Sequence, residues 1–439
     1  EDGSKTRVGL EAGSFGTVVG SVGHAIKNGE TALSFNLSKV KTDGFSARAS
    51  DEEADGFSQT LLTVKGQTEV GNGIIIGGSA LYRDSSIELD RSTTNAAGET
   101  FGLQRGARVF TQFNALSIEH ELSFSSFDTE RLDPGGFTEE FNGDRTQIAY
   151  LGTTETRFGT LSFGLDETKE DFLTSADVGD STTRSAMVEL LAQVSDATDL
   201  ALSLRYDDND DFGGNLSGRV ALAWQARSDL TVRTVIGNGF RSPSLYERFG
   251  PFGDPDLQVE ASRSFEVGIE QNWDIGGYEA TIFYTEIDDL IGFDFGAGGY
   301  LQTPGTTKSK GIELSGERVV SDRTTIDGTY TFTDARTEGE RLARVPRHDL
   351  TVGVTTQFSD RLSGSARIQH VFDTQPSAFA PTDNKVDDYT LVGLGVSYDV
   401  NETTEAYFRI ENLFDDDYET AGGFNTAGRS FYAGIRAEF

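Results

Sequence analysis

An all-β fold is predicted: a 22-stranded antiparallel transmembrane β-barrel with short periplasmic turns and long extracellular loops. Three observations predict it. The final stretch, RSFYAGIRAEF, alternates Phe431, Ala433, Ile435, Ala437 and Phe439 with small or polar residues and stops on a bare aromatic. Alternate side chains of a strand point to opposite faces, so this strand has one greasy and one wet face. No apolar run approaches the ~18 residues of a helical membrane span, a limit that does not apply to barrels, whose strands need only ~10 alternating residues. Short turns and long polar loops also take turns along the chain.

The elements can be followed in order. Lys27–Glu30, Gly71–Gly73, Ser195–Asp199 and Asp274–Tyr278 read as tight turns, and the tripeptide SDR recurs at 321–323 and 359–361. Between them lie segments rich in Asp, Gly, Ser and Thr: 41–56, 84–102, 128–143, 171–182, 207–214, 241–262, 289–306, 334–346, 373–387 and 414–428. Twenty-two strand candidates begin near Thr6 and end at Phe439, about twenty residues per strand and connection. Apolar faces recur in phase: Phe265, Val267 and Ile269; Val392, Leu394, Val396, Tyr398 and Val400; Ala406, Phe408 and Ile410. A closed barrel leaves no free edge, so the last strand is expected to pair with the first. A propeller or solenoid needs a recurring motif per repeat, and none is found.

Composition narrows the function classes. A soluble chain of 439 residues would have two or three domains, yet hydrophobic residues are only 36%, with 51 Gly, 8 Pro and 1 Met. There are no cysteines, which excludes disulfides and thiolate metal sites. A net charge of −34 argues against nucleic acid as a partner. No G-x-S-x-G, H-E-x-x-H or phosphate loop is present, so the reading is of a non-enzyme. The four histidines make no close metal pair in sequence. Asp51, Glu52, Glu53 and Asp55 crowd five positions, with Asp84 and Asp90 following. Such carboxylates either solvate a loop or offer hard oxygen ligands to Ca²⁺. Arg241, Tyr246, Arg248, Phe249 and Phe252 share a loop and either pack it or contact a bulky ligand.

Two stretches go beyond pattern. Arg241-Ser242-Pro243, Asp254-Pro255-Asp256-Leu257 and Asn412-Leu413-Phe414-Asp415 with Tyr418 occur in this order, before a terminal aromatic. In combination they resemble the TonB-dependent outer-membrane receptors, along the whole barrel. The segments 417–420 and 426–429, the stretch DEEADGFSQTL and Tyr82–Asp90 resemble the vitamin B12 receptor branch in particular.

The resemblance implies location in the outer membrane of a Gram-negative bacterium, surrounded by lipid. It implies a corrinoid ligand, with a ferric siderophore as the alternative. A plug domain and, through it, TonB would be the partners. Family members begin with that plug, so residues 1–439 are expected to be the barrel part alone; without a plug partner the chain would act as a diffusive pore. The same branch binds calcium in its early loops, which implies Glu53, Asp55, Asp84 and Asp90 as ligands; Ser46 stands where the branch has another aspartate. The histidine that haem receptors place between the Arg-x-Pro and Pro-x-Leu boxes is missing, so haem is disfavoured. Arg241, Tyr246, Phe249, Phe252, Tyr300 and Phe424, on outer loops, are the expected ligand contacts. Phe293 and Phe295 join them as aromatic lining for a broad, mostly neutral ligand.

Overall fold

The computed structural model of the chain describes residues 3–48, 50–91, 96–376 and 386–439. One antiparallel sheet dominates. Its twenty-three members include the two-residue strand Glu340–Arg341, which only extends a neighbouring hairpin; leaving that one aside gives twenty-two barrel strands. The sheet closes because the first strand, Gly3–Gly13, pairs with both Val18–Asn28 and Ser430–Glu438. The terminal residue takes part: Phe439 N–H donates to Thr6 O at 2.9 Å, and Thr6 N–H donates to Phe439 O at 2.8 Å. Phe439 thus completes a ladder that would otherwise present an open edge to lipid.

Side-chain alternation decides the two faces. Leu10, Phe431 and Ile435 point outward and are exposed, as are Phe265, Leu394 and Phe408. Facing hydrocarbon, these chains are at rest. The inner face is polar and interlocked. Arg205 holds Asp166 through two nitrogens, at 2.9 and 3.1 Å, and Asp207 at 2.9 Å; Ser185 donates to Asp207 at 2.6 Å. At the seam Glu11 accepts from Arg409 at 2.8 Å and from Tyr407 at 2.9 Å.

The two ends differ as expected. Nine connections at one end are two residues long, and the tenth, 358–361, has four. Asn72 and Gly73 both have positive φ, the twist that lets a two-residue turn join right-twisted strands. At the other end the connections 242–259, 289–305 and 412–429 are the longest.

The loop boundaries need correction. Segments 84–102, 171–182 and 207–214 are largely strand: strands run to Arg91, Thr174 and Asn209, and the following ones resume at Ala96, Val178 and Gly213. Polarity in the sequence marks where a strand leaves hydrocarbon, not where its ladder ends. The longest strand, Ala96–Ala115, has 20 residues, well beyond the ~10 that a membrane requires. No helix among the described residues is long and apolar enough to cross a membrane. Buried apolar side chains (Phe172, Leu257, Ile291, Ala335, Val371, Val386 and Tyr432) lie in the long loops or at the strand ends beside them. The packed core of this protein is therefore its mouth.

Candidate ligand-binding mouth and its acidic rim

The loop 242–259 folds inward. Its short helix, Leu245–Phe249, starts from a capping box: Ser244 Oγ accepts from Glu247 N–H, and the Glu247 carboxylate accepts from Ser244 N–H at 2.7 Å. Arg241 secures it. The guanidinium donates to Glu260 at 2.6 and 2.9 Å and to Glu247 at 2.8 and 3.3 Å. Glu260 also accepts from Ile291 N–H at 2.7 Å, which ties in the hairpin Ile291–Asp294/Gly299–Gln302. The Glu260 and Glu247 carboxylates raise the pKa of Arg241 further. Burial pushes the Glu247 carboxyl up, but Arg241 and the Ser244 N–H outweigh it and hold it below its usual value. The motif leucine, Leu257, is 2% exposed and anchors the return of the loop.

Aromatic rings knit this loop to its neighbours. Tyr246 packs edge-on against Phe141, Phe172 and Tyr300, and its hydroxyl meets that of Thr138 at 2.6 Å. Phe172 lies on the inner face of its strand, alternating with the lipid-facing Leu165. Phe252 meets Phe137 and Phe293, and Phe293 meets Phe295 and Tyr300. Phe137 is 88% exposed and Phe295 63%, so the cluster ends in an open aromatic rim.

Arg241, Tyr246, Phe252 and Tyr300 thus come together, but in different roles. Arg241 and Tyr246 are committed to internal partners. Phe249 packs on Gly179 and lies 4.4 Å beneath the Arg248 guanidinium, which itself pairs with Asp211 at 2.6 Å. Phe252 and Tyr300 lie nearer the open rim. Phe424 belongs elsewhere: it bridges to Arg48, while Asn425 donates to Ala47 O and Ser46 O. Phe137 was missed, because its segment reads as generic polar loop. A Phe beside a Pro-Gly-Gly turn, which cannot be buried by its own strand, was the available signal.

The acidic cluster also divides. Carboxylate oxygens of Asp51, Glu53 and Asp90 lie within 4.8 Å of one another. Asp55 accepts from Ala47 N–H at 2.7 Å and contributes its charge from alongside. Asp84 is not with them. It sits in the same continuous strand as Asp90, Ile74–Arg91, and six extended residues place the two about 20 Å apart. The resemblance grouped the two as ligands; along one extended strand they stand too far apart to share an ion. Both Asp90 oxygens are shielded from solvent with no hydrogen-bond partner. Burial, then the adjoining Asp51 carboxyl and the charge of Asp55, push its pKa up. The N–H groups of Glu53 and Glu52 hold Asp51 down.

The family follows from comparison with known proteins. The model described as TonB dependent receptor-like, beta-barrel, matches residues 10–413. The chain belongs to the TonB-dependent receptors. Its fold and location follow: this is a multi-pass barrel of the outer membrane. The vitamin B12 transporter BtuB of Vibrio cholerae is 30% identical over 255 residues, a match covering 55% of this chain and 40% of that protein. BtuB of Photobacterium profundum is 24% identical over 414 residues, covering 90% of this chain and 68% of the relative. Among solved structures, a doubly substituted ferric enterobactin receptor PfeA of Pseudomonas aeruginosa superposes with a TM-score of 0.84 at 16% identity, covering 100% of this chain and 81% of that one. That likeness concerns the fold.

Proposed function

We propose that this barrel forms the wall and outer mouth of a TonB-dependent transporter for a corrinoid, working with a plug domain and, through it, TonB. The observation that carries the reading is the state of two arginines, Arg241 at the strand end and Arg248 in the loop 242–259. Arg241 is paired with Glu247 and Glu260, and Arg248 with Asp211. An anionic ferric chelate is best held by unpaired guanidinium groups. A broad, nearly neutral ligand is better served by rings, and Phe137, Phe252, Phe293 and Phe295 offer them. The matches to vitamin B12 transporters support the same choice.

Calcium belongs to this proposal. Asp51, Glu53 and Asp90 would hold it, since the ion would satisfy the two orphaned Asp90 oxygens and offset three clustered charges. Bound there, it would stiffen a loop that carries the contact to Phe424.

The test is cyanocobalamin retention by the barrel joined to its plug domain, in detergent, with calcium or with chelator. Saturable binding that weakens on chelation is expected. Tight ferric-siderophore binding without cobalamin binding would move the chain to the siderophore receptors and leave the fold untouched.

A further inference from the structure

The lumen wall below the mouth carries a second feature. On the strand Ile74–Arg91, Ile74, Ile76 and Tyr82 are exposed on the outer face, and Asp84, Ser86 and Glu88 follow them there. Arg83 therefore faces the lumen, at the height where the lipid-facing band ends. On Ile118–Leu132, Leu122 and Phe124 face lipid, so Arg131 faces the lumen too. Arg83 stands opposite Leu61 and Gln104, and Arg131 opposite Gly102 and Phe141. Gln104 in turn stands opposite Thr129. Arg131 thus lies two strands over from Arg83 and two residues nearer the loops, roughly 10 Å across and 7 Å along.

Neither cation is matched by a carboxylate. Arg83 makes one long bond, from Nη1 to Gln104 Oε1 at 3.5 Å, and its Nε–H is shielded from solvent with no hydrogen-bond partner. Arg131 rests on the Phe141 ring, 5.5 Å from its centroid, and has neither hydrogen bond nor ion pair among the described residues. Asp133, next on the same face, is already held by Arg91 and Thr100. The other lumen-facing carboxylates on these and the adjoining strands stand at strand ends: Glu69, Glu119 and Glu121 by the short turns and Asp55 at the rim. A guanidinium has five donors, and a shielded one left unpaired costs free energy. The wall around it is open and rich in amides. Gln59 and Gln104 share this face, while Gly102 and Gly106 put no side chain on either side of Gln104. Phe141 packs edge-on against Tyr246, so the cationic stretch continues the ring-lined surface of the mouth.

We propose that Arg83 and Arg131 bind the phosphodiester of the ligand's nucleotide arm while the rings of the mouth take the rest of it, an inference that rests on the corrinoid reading. Two guanidinium groups suit one negative charge on an otherwise nearly neutral molecule, and charge-assisted N–H bonds to phosphate oxygens are the strong ones. The pair would then select corrinoids that carry this group over those that lack it.

The test compares two ligands on the barrel joined to its plug domain, in detergent: cyanocobalamin, which carries the phosphodiester, and dicyanocobinamide, which has the same ring without it. Arg83→Gln with Arg131→Gln is expected to weaken cyanocobalamin binding roughly tenfold or more, as loss of a hydrogen bond to a charged group does, and to leave dicyanocobinamide within about twofold. Arg83→Lys with Arg131→Lys is expected to recover most of the loss. An unheated gel shift confirms folding; should the double variant fail it, the exposed Arg131→Gln alone carries the prediction at about threefold. Unchanged cyanocobalamin binding by the Gln variant would overturn the proposal. Equal loss of both ligands would overturn it too, and would assign the two arginines to a carboxylate of the plug domain. Binding of neither ligand by the unsubstituted protein would remove the corrinoid reading itself, and this inference with it.

Discussion

Single residues here do work that their sequence motifs conceal. Asn412 is one: 6% exposed, with φ of 47°, it donates to Asp416 O at 2.8 Å and Ala427 O at 3.3 Å and accepts from Asp416 N–H at 2.8 Å. Asparagine tolerates that left-handed backbone, and its amide closes the last loop from inside. Asn412→Ala is expected to destabilise the loop by roughly 1–3 kcal/mol, because buried partners lose their hydrogen bonds. Faster proteolysis within 412–429, with the barrel intact, would show it; unchanged cleavage would count against it.

Asp90 carries a pH signature. Its pKa is raised, so the folded state holds the proton more tightly than the unfolded chain. Stability from this group is present at low pH and lost as pH rises through the raised value. Calcium competes for the same oxygens, so the proposed calcium affinity falls as pH drops through that window, above the ordinary aspartate value. Asp51→Asn with Asp90→Asn is expected to abolish calcium protection of the 46–54 loop against protease. Equal cleavage of the unsubstituted protein with calcium or chelator would return the cluster to a solvated rim.

At the scale of elements, the mouth is a set of loops fastened to the wall by a few charged clamps. Arg241 joins the strand end to the helix through Glu247, and to the hairpin through Glu260. Arg241→Met would leave Glu260, which is 8% exposed, without its cation. Because Arg241 itself is 44% exposed, screening reduces the loss to roughly 1–2 kcal/mol of local stability. Hydrogen exchange is expected to rise in 242–259 and 289–305 together, and not in the turns at the other end. Independent behaviour of the two loops would show that Glu260 does not couple them.

The motifs were legible at this scale but their jobs were not. The Arg-x-Pro and Asn-Leu-Phe-Asp boxes pointed to the family by their order. Arg241 and Asn412 of these boxes hold the loops in place: four of the five guanidinium N–H donors of Arg241 already go to two carboxylates. The acidic segment was legible as a cluster, but its membership was not. Whether Asp84 or Asp51 joins Asp90 depends on where extended backbone ends, and polar composition is the same in a loop and in a strand beyond the membrane.

For the whole molecule, closure is the decisive event. Twenty-two strands with a wet inner face gain stability when the last ladder, Ser430–Glu438 on Gly3–Gly13, removes the final edge. Extracted in detergent, the chain is expected to show β-rich circular dichroism and to run faster on a gel unheated than boiled. Removing residues 436–439 takes Arg436, Ala437 and Glu438 from the seam, together with the reciprocal pair between Phe439 and Thr6. The compact, heat-modifiable band is expected to be lost. A truncated chain that kept it would show that closure does not need the terminal ladder.

Sequence by itself determined the class of fold, the strand count, the alternation of turn and loop, and the family, because a period of two and the order of motifs are local properties of the chain. Tertiary structure alone decided what the loops do. It brought Phe137 from one loop onto Phe252 of another, separated Asp84 from Asp90 by straight backbone, and set Phe424 beside Arg48. Those relations join residues far apart in sequence, through ring contacts and ladder register that no local pattern encodes.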